Sequence, residues 1–407
     1  MQLIVILAVA RLGAWVAGRL GQPTVVGEIA GGLLLGPSLL GRLAPELFAA
    51  VFPLAAEPTL KVLGELGLVF LMFLIGLEFH FGHLRDMGRT ALAVSVAGIA
   101  APFLLGLALG RLIHPYVAAD LNLTGFSLFL AVALSITAIP ILGRIMMELG
   151  VHRTRLAVLT ISAAAVDDVL GWILLAAVTA IVATGFDPVP VARMLVLTLG
   201  FGAVVWLVLR PPLVRLLDRL LAGGRELGSA PLAMLMVLIL SAAAVTSWIG
   251  VFAILGPFML GAALWDQERL RGVLVWRLES FVNAFFLPIF FTYTGLRTDV
   301  GALDSGLLWL CCGLVSLAAI AGKVGGCGLA ARLCGLPWRD SACVAVMMNT
   351  RALMGLIAIN VGRELGVIPP SVFSMLVIMA LVTTVMTMPL LRRLMPGTEL
   401  APGHVPR

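Results

Sequence analysis

Long apolar segments alternate with short polar loops along almost the whole chain. A membrane-spanning helix needs about 20 predominantly apolar residues, and thirteen segments meet or approach that length. They fall near residues 2–20, 24–40, 60–79, 90–113, 124–149, 156–183, 189–210, 230–248, 250–265, 278–296, 303–331, 340–362 and 371–391. The pattern predicts an all-α polytopic membrane protein with about thirteen transmembrane helices.

The composition agrees with a membrane protein. Of the 407 residues, 61% are hydrophobic and 12% are charged, whereas about a quarter of the residues in soluble domains are charged. The chain has no phosphate-binding glycine motif, zinc-ligand spacing or Ser-His-Asp arrangement, so we expect no enzyme and no cofactor. Its five cysteines lie in or beside apolar spans without metal-ligand spacing, which indicates packing residues.

The basic residues are distributed unevenly between alternate loops. Seventeen of them fall in one set of loops and six in the other set, namely Arg42, Lys61, Arg111, Arg193, Arg297 and Arg363. Cytoplasmic loops carry the excess of Lys and Arg, so the N-terminus is expected outside and the C-terminus in the cytoplasm of a cell-membrane protein. The residues form no continuous basic patch, which argues against nucleic acid as a partner. After residue 393 we expect only a short cytoplasmic tail, 394–407, and no nucleotide-binding regulatory domain.

The two halves of the chain share short glycine motifs. Gly76-Leu77 near the end of the third predicted span matches Gly295-Leu296 near the end of the tenth. The glycine pair at 27 and 32 in the second span has the same spacing as the pair at 256 and 261 in the ninth. Matched spans lie seven apart, and an odd offset inverts the second copy, as in the inverted repeats of secondary transporters. Chance matching in a glycine-rich chain is the alternative.

Two adjacent aspartates interrupt the apolar segment 156–183. Asp167 and Asp168 lie in a run whose other members are apolar or small. A carboxylate at the centre of a membrane-spanning helix costs about 2.5–3.5 kcal/mol to insert, and such residues mark functional sites. Successive side chains of a helix point in different directions. We therefore expect the two carboxylates to have different surroundings and different roles.

Two predicted spans carry polar residues at mid-span. The segment 124–149 contains Ser135, Thr137 and Pro140, and a proline disrupts the turn before it and frees backbone carbonyls. The segment 340–362 has three polar residues in a row, namely Asn349, Thr350 and Arg351. One such cluster alone predicts an ordinary kink. Two in equivalent positions, beside the Asp-Asp span, predict a pair of broken helices at an ion site.

Lys323 is the only lysine in the interior of a predicted span, since Lys61 lies at the edge of one. Because an unpaired buried charge is costly in a membrane, we expect it to neutralise one of the two aspartates. Snorkelling toward the interface is the alternative, which its mid-span position disfavours. The other carboxylate, with hydroxyl and carbonyl oxygens of the broken helices, suits a hard monovalent cation or a proton. A site that holds one or the other gives exchange.

Four stretches together resemble the monovalent cation:proton antiporter-2 family of sodium or potassium/proton exchangers. They are residues 26–38, residues 135–142 with the Asp-Asp pair, residues 286–291 before Gly295-Leu296-Arg297, and residues 348–351. The similarity covers nearly the whole chain. It implies the sodium/proton antiporter fold, with two inverted repeats, discontinuous crossing helices and a homodimer embedded in membrane lipid.

The resemblance also implies a division of the single membrane transporter domain, residues 1–400. The dimer-interface part would comprise about 1–80 and 230–296, and the core ion-transport part about 90–183 and 303–391. A connector helix, 189–210, would join them, and the core would move in the manner of an elevator. The expected cargo is Na⁺ or K⁺ in exchange for H⁺.

Residue roles follow from the same resemblance. The cation or proton would bind at Asp168, with Asp167, Thr137 and Ser135 lining the site and Asp167 paired with Lys323. The expected supporting residues are Lys323, Arg351, Asn349, Thr350 and Pro140. Relatives often carry a glutamate shortly after the Thr-Arg pair, but residues 352–356 contain none here. Arg351 would then turn to Asp167 or Asp168.

Two other functions remain open from the residues alone. A proton-coupled exporter of an organic ion or small molecule could use the same fold and the same buried carboxylate. A sensor or channel subunit could bind the cation without exchanging it for protons. Both alternatives keep the membrane fold and differ from the exchanger only in cargo or coupling.

Overall fold

The architecture was obtained from a computed structural model of the chain. It describes residues 1–400 except for several short stretches. The stretches left out, together with the last residues, are 54–56, 79–87, 138, 150, 152–153, 184–187, 222–227, 268–270, 273, 275–277, 353, 399 and 401–407. In the part described, every regular element is helical, which confirms the all-α prediction.

The helices of the first half follow the apolar segments closely. In chain order they are α1 (Gln2–Arg19), α2 (Thr24–Leu35), α3 (Leu40–Leu43), α4 (Pro45–Val51), α5 (Glu57–Glu78), α6 (Arg89–Val117), α7 (Leu123–Ser135), α8 (Ile139–Glu148) and α9 (Arg155–Ala183). The short helices α3 and α4 lie between the second and third predicted spans and were not predicted.

The second half is equally helical. In chain order its helices are α10 (Pro188–Val204), α11 (Arg210–Leu221), α12 (Ser229–Ile249), α13 (Leu255–Ala263), α14 (Leu287–Leu296), α15 (Gly306–Leu333), α16 (Trp338–Met348), α17 (Met354–Glu364) and α18 (Pro370–Leu394). A π-helical turn, Val205–Leu209, joins α10 to α11, and a second one, Val282–Phe286, precedes α14. Pro211 and Pro212 follow the first turn directly and lack the N–H that a regular α-helix would use there.

Each of the thirteen predicted spans contains helix in the structure. Among the described residues, nine helical stretches are long and apolar enough to cross a membrane, and two of them, 24–43 and 192–217, contain more than one of the helices named above. The shorter helices α7, α8, α16 and α17 belong to the two interrupted spans. The chain is a multi-pass membrane protein, while the count of thirteen crossings stays a prediction.

Both spans that were expected to break are interrupted at the expected places. The first helix piece, α7, ends at Ser135, and α8 begins at Ile139. In the other span α16 ends at Met348 and α17 begins at Met354. These interruptions confirm the prediction of discontinuous helices. Pro140 is the second residue of α8. Backbone N–H groups in the first turn of a helix have no intrahelical acceptor, so the proline breaks no helical hydrogen bond there.

The chain forms two compact units. The first contains residues 1–53, 83–178 and 291–407, and the second contains residues 54–82 and 179–290. All the predicted site residues belong to the first unit. The predicted division into a dimer-interface part and a core part is a different partition of the chain, and it stays a prediction.

Within each unit, two helices cross at glycines from the matched motifs. In the first unit α2 meets α14, and a Cβ on Gly32 or Gly295 would collide with the backbone of the facing helix. In the second unit α5 meets α13 in the same way at Gly76 and Gly261. Gly32 corresponds to Gly261 in the matched motifs, and Gly295 corresponds to Gly76. The two crossings therefore join equivalent positions, as an internal repeat would require, although the repeat itself stays a prediction. Close approach of the two backbones explains why these four positions are glycine.

A glycine-to-alanine substitution should have opposite effects on stability at the crossing and away from it. Gly295→Ala places a methyl group against Ile29 O, so we expect it to destabilise the protein by about 1–3 kcal/mol. Gly313→Ala on α15 is the matched control, because nothing lies within 4 Å of its Cβ position. There the gain in helix propensity should stabilise by about 0.5–1 kcal/mol. Unfolding of both variants in one detergent measures the difference, and equal effects would contradict the close crossing.

Candidate ion-binding site

The Asp-Asp pair lies in the middle of α9, and both side chains are buried. Asp167 is 0% exposed and Asp168 is 1% exposed. Their surroundings differ, as the helix geometry requires. Asp167 lies among donors from other segments, whereas neither carboxylate oxygen of Asp168 has a hydrogen-bond partner among the described residues.

Asp167 is neutralised by Lys323 of α15. The ammonium Nζ lies 3.0 Å from Asp167 Oδ2 and 3.1 Å from Oδ1, and both side chains are fully buried. The backbone N–H of Thr137 donates a third hydrogen bond to Asp167 Oδ2, at 2.9 Å. A buried ion pair is tolerated when further hydrogen bonds satisfy its members. The expectation that Lys323 pairs with Asp167 is therefore confirmed.

Close packing of α6 against α15 keeps Lys323 away from water. Gly322 lies against Pro102, and Gly326 lies against Ala97, so the two helices approach at backbone distance. Of the three glycines around Lys323, Gly325 is the exception and faces open space. Gly98 of α6 contacts the sulfur of Cys327, and its Cβ position lies 3.7 Å from Lys323 Nζ. A larger residue at Gly98 would displace the lysine side chain or the cysteine.

The C-terminal end of α7 holds two protein cations on successive carbonyls. Lys323 Nζ donates to Ser135 O at 2.5 Å, and Arg351 Nη1 donates to Leu134 O. The last carbonyls of a helix have no intrahelical partner and carry partial negative charge, so cations are stabilised there. The interruption after Ser135 therefore produces the acceptors that hold both basic side chains inside the protein.

Arg351 is bound differently from what the sequence suggested. Its side chain is 0% exposed, and its second donor, Nη2, lies 2.8 Å from Ala319 O on α15. In the part of the chain that is described, no hydrogen bond or ion pair joins it to Asp167 or Asp168. The expectation of a carboxylate hydrogen-bond partner was wrong, because Nη1 and Nη2 donate to the carbonyls of Leu134 and Ala319 instead.

The two helix interruptions contact each other. Thr137 Oγ1 donates to Met348 O at 3.0 Å, which joins the break after α7 to the break after α16. Thr137 thus connects both interruptions to α9, since its backbone N–H binds Asp167. The hydroxyls of Ser135 and Thr350 donate within their own helical turns, to Ala131 O and Met347 O. Thr137 therefore links both breaks to Asp167, whereas the hydroxyls of Ser135 and Thr350 bond within their own segments.

Three further side chains complete the surroundings. Asn349 is 1% exposed, its amide oxygen has no partner among the described residues, and its amide nitrogen lies 3.8 Å from Met386 Sδ. Cys327 follows Lys323 by one helical turn, and its sulfur lies 3.6 Å from Val94 O. Trp172 follows Asp168 by one turn of α9, and its buried indole N–H also lacks a partner in the described part. No part in the site was predicted for Cys327 or Trp172, although a spacing of four residues would have placed each beside a charged residue.

The five cysteines form no disulfide in the described part of the chain. Cys311, Cys312, Cys327 and Cys343 are buried, Cys334 is exposed, and all five thiols are free. This agrees with the interpretation of four of them as packing residues.

Comparison with known proteins identifies the family. The sequence profile of the family described as "Sodium/hydrogen exchanger, transmembrane" matches residues 4–393. The chain belongs to this family. It is therefore a secondary transporter and not an enzyme, which confirms both expectations from the sequence. The family resemblance inferred from the four short stretches is confirmed as well.

Relatives of this exchanger include proteins from cyanobacteria, plants and yeast. It is 40% identical to the Na⁺/H⁺ antiporter NhaS4 of Synechocystis, over 99% of this chain and 97% of that protein. It is 34% identical to cation/H⁺ antiporter 17 of Arabidopsis thaliana and 31% identical to K⁺/H⁺ antiporter 1 of Saccharomyces cerevisiae. The alignments span 49% of the plant protein and 44% of the yeast protein, so the chain covers about half of these two relatives.

A solved structure has the same fold. The sodium proton antiporter MjNhaP1 from Methanocaldococcus jannaschii superposes with a TM-score of 0.67 over 98% of this chain and 96% of that one. The two sequences are 17% identical, so the likeness concerns the fold. The expected sodium/proton antiporter fold is thereby confirmed.

Proposed function

We propose that this exchanger moves Na⁺ or K⁺ in one direction and protons in the other, with Asp168 as the binding group for both. The observation that carries the proposal is the contrast between two neighbouring carboxylates. Asp167 accepts three hydrogen bonds and is neutralised by Lys323, whereas Asp168 is equally buried and has no partner among the described residues. A buried carboxylate without a partner is costly, and either a cation or a proton would neutralise it.

Competition at one carboxylate accounts for exchange. A proton and a monovalent cation both neutralise Asp168, and each excludes the other from the same oxygens. Binding of one species on one side of the membrane then requires release of the other. Thr137 and Ser135 would shape the site from the first helix break, and Asn349 and Thr350 from the second. Lys323 and Arg351 would hold the end of α7 in place through its carbonyls.

The elevator-type movement is part of the proposal. Helices α6, α7, α15, α16 and α18 pack on one another in the first compact unit, and this packing supports their movement as one body. We propose that this body, with α9, carries Asp168 between the two sides of a cell membrane. The protein would act as a homodimer, with its N-terminus outside and its C-terminus in the cytoplasm.

Exchange by purified protein in lipid vesicles tests the proposed function. Vesicles with an internal pH gradient and clamped voltage receive external Na⁺, K⁺ or Li⁺, and a pH-sensitive dye reports proton movement. We expect at least one of the three ions to dissipate the gradient with saturable dependence on its concentration. Protein-free vesicles are the control for leakage. Failure of all three ions, with correctly inserted protein, would contradict the proposal.

A further inference from the structure

Asn349, at the break after α16, carries a buried side-chain oxygen without a partner in the described part of the chain, as do Asp168 and, further along α9, Thr179. Its amide oxygen and both oxygens of Asp168 lack hydrogen-bond partners among the described residues, and both side chains are 1% exposed. A buried acceptor without a partner costs about 1–3 kcal/mol. Such a group in an ordered part of a protein requires an explanation, and a ligand supplies one.

The surrounding contacts keep this oxygen available. The amide nitrogen of Asn349 lies 3.8 Å from Met386 Sδ on α18, and the amide oxygen has no hydrogen-bond partner among the described residues. Nearby oxygens are already engaged. Leu134 O accepts from Arg351, Ser135 O accepts from Lys323, and Met348 O accepts from Thr137 Oγ1. The broken helices therefore offer fewer free carbonyl oxygens to a cation than the positions of the breaks suggested.

Thr137 links the two segments that carry these unpartnered side chains. Its backbone N–H binds the side chain of Asp167, the neighbour of Asp168, and its hydroxyl binds the carbonyl of Met348, the neighbour of Asn349. Asp168 and Asn349 each adjoin a residue that Thr137 contacts directly. Since Thr137 and Met348 are 211 positions apart, only the folded chain creates this juxtaposition.

We propose that Asn349 is a ligand of the transported cation, its amide oxygen completing with Asp168 a mixed carboxylate and carbonyl site that determines which monovalent cation is preferred. The inference rests on the proposed function and adds a specificity residue to it. Amide carbonyls and carboxylates are the oxygen ligands that hard cations take in proteins. The strength of the ligand field contributes to selectivity between Na⁺ and K⁺, so a neutral oxygen and a charged one at this position are not equivalent.

Two substitutions at this position make opposite changes. Asn349→Leu keeps the branched side-chain skeleton and removes the oxygen, and we expect the KM for the preferred cation to rise about tenfold, the equivalent of about 1.4 kcal/mol. Asn349→Asp keeps an oxygen and strengthens its field, so we expect exchange to persist with a relative preference shifted at least about threefold toward the smaller ions Li⁺ and Na⁺. Asn360→Leu is the matched control, because the Asn360 amide already binds Thr294 Oγ1 and Leu356 O. Its KM should equal that of the wild type.

The vesicle assay, with KM determined separately for Li⁺, Na⁺ and K⁺, tests whether Asn349 is a ligand of the cation. Wild-type KM and wild-type selectivity in both Asn349 variants would overturn the inference and leave the proposed function intact. If Asn349→Leu does not exchange at all, the rise in its thermal unfolding temperature on cation addition is measured instead. Loss of that rise in folded protein supports the inference, and a wild-type rise overturns it. Absence of exchange by the wild-type protein would overturn the proposed function and this inference with it.

Discussion

Asp168→Asn is expected to abolish cation-dependent proton exchange, with activity reduced at least about 100-fold. The amide has the shape of the carboxylate but cannot bind a proton or neutralise a cation. Loss of a charged ligand group is worth about 3 kcal/mol or more, which corresponds to a change of that size. The vesicle assay measures the effect, as the rate at which added Na⁺ or K⁺ dissipates a preset pH gradient.

The same substitution should leave the fold intact or stabilise it. Asp168 has no hydrogen bond to lose among the described residues, and asparagine removes a buried charge. Unfolding in detergent should therefore show a midpoint equal to or above that of the wild type. Asp304→Asn, at an exposed loop position, is the control and should exchange normally. An Asp168→Asn protein that dissipates the gradient as well as the wild type would exclude Asp168 as the carrier.

Lys323→Met is expected to cause the largest loss of stability, about 3–5 kcal/mol. Removing one member of a buried ion pair leaves the other as an uncompensated charge, and Asp167 is 0% exposed. The substitution also leaves Ser135 O without its donor. Denaturant or thermal unfolding in a single detergent measures the free-energy change.

A double variant separates the ion pair from the packing. Asp167→Asn combined with Lys323→Met removes both charges, and we expect it to recover most of the lost stability. Lys61→Met is the control on the other lysine of the chain, whose pair with Glu65 at 3.7 Å is solvent-exposed. That substitution should change stability by less than about 1 kcal/mol. A double variant as unstable as Lys323→Met alone would show that the charge pair is not what the lysine contributes.

The interruptions of the two spans could be predicted because their causes are local. Pro140 and the polar groups around it disfavour continuous helix whatever surrounds them, and so does the run of polar residues at 349–351. The burial of the Asp-Asp pair was predictable for a similar reason, since its span is apolar on both sides. A lysine at mid-span requires an acidic partner, and Lys323 pairs with Asp167.

The partners of Arg351 and Asn349 could not be predicted in the same way. From charge alone, a buried arginine in a protein with two buried aspartates is expected to pair with a carboxylate. Arg351 instead donates to the carbonyls of Leu134 and Ala319. Those carbonyls became acceptors because α7 ends at Ser135 and because α15 packs beside it. Hydrogen bonds between a side chain and a distant backbone leave no pattern in the residues that make them.

The sequence by itself determined the membrane-spanning class, the positions of the spans and breaks, and the need to neutralise two buried carboxylates. These properties depend on the cost of placing each residue in an apolar environment, which is set by the residue and its near neighbours. Only the tertiary structure decided how the charges were shared among partners. That outcome depends on the rotation of each helix about its axis and on contacts such as Thr137 with Met348, 211 positions apart. Periodicity fixes the angle between Asp167 and Asp168 on α9. The packing of the surrounding helices determines which carboxylate is hydrogen-bonded and which has no partner among the described residues.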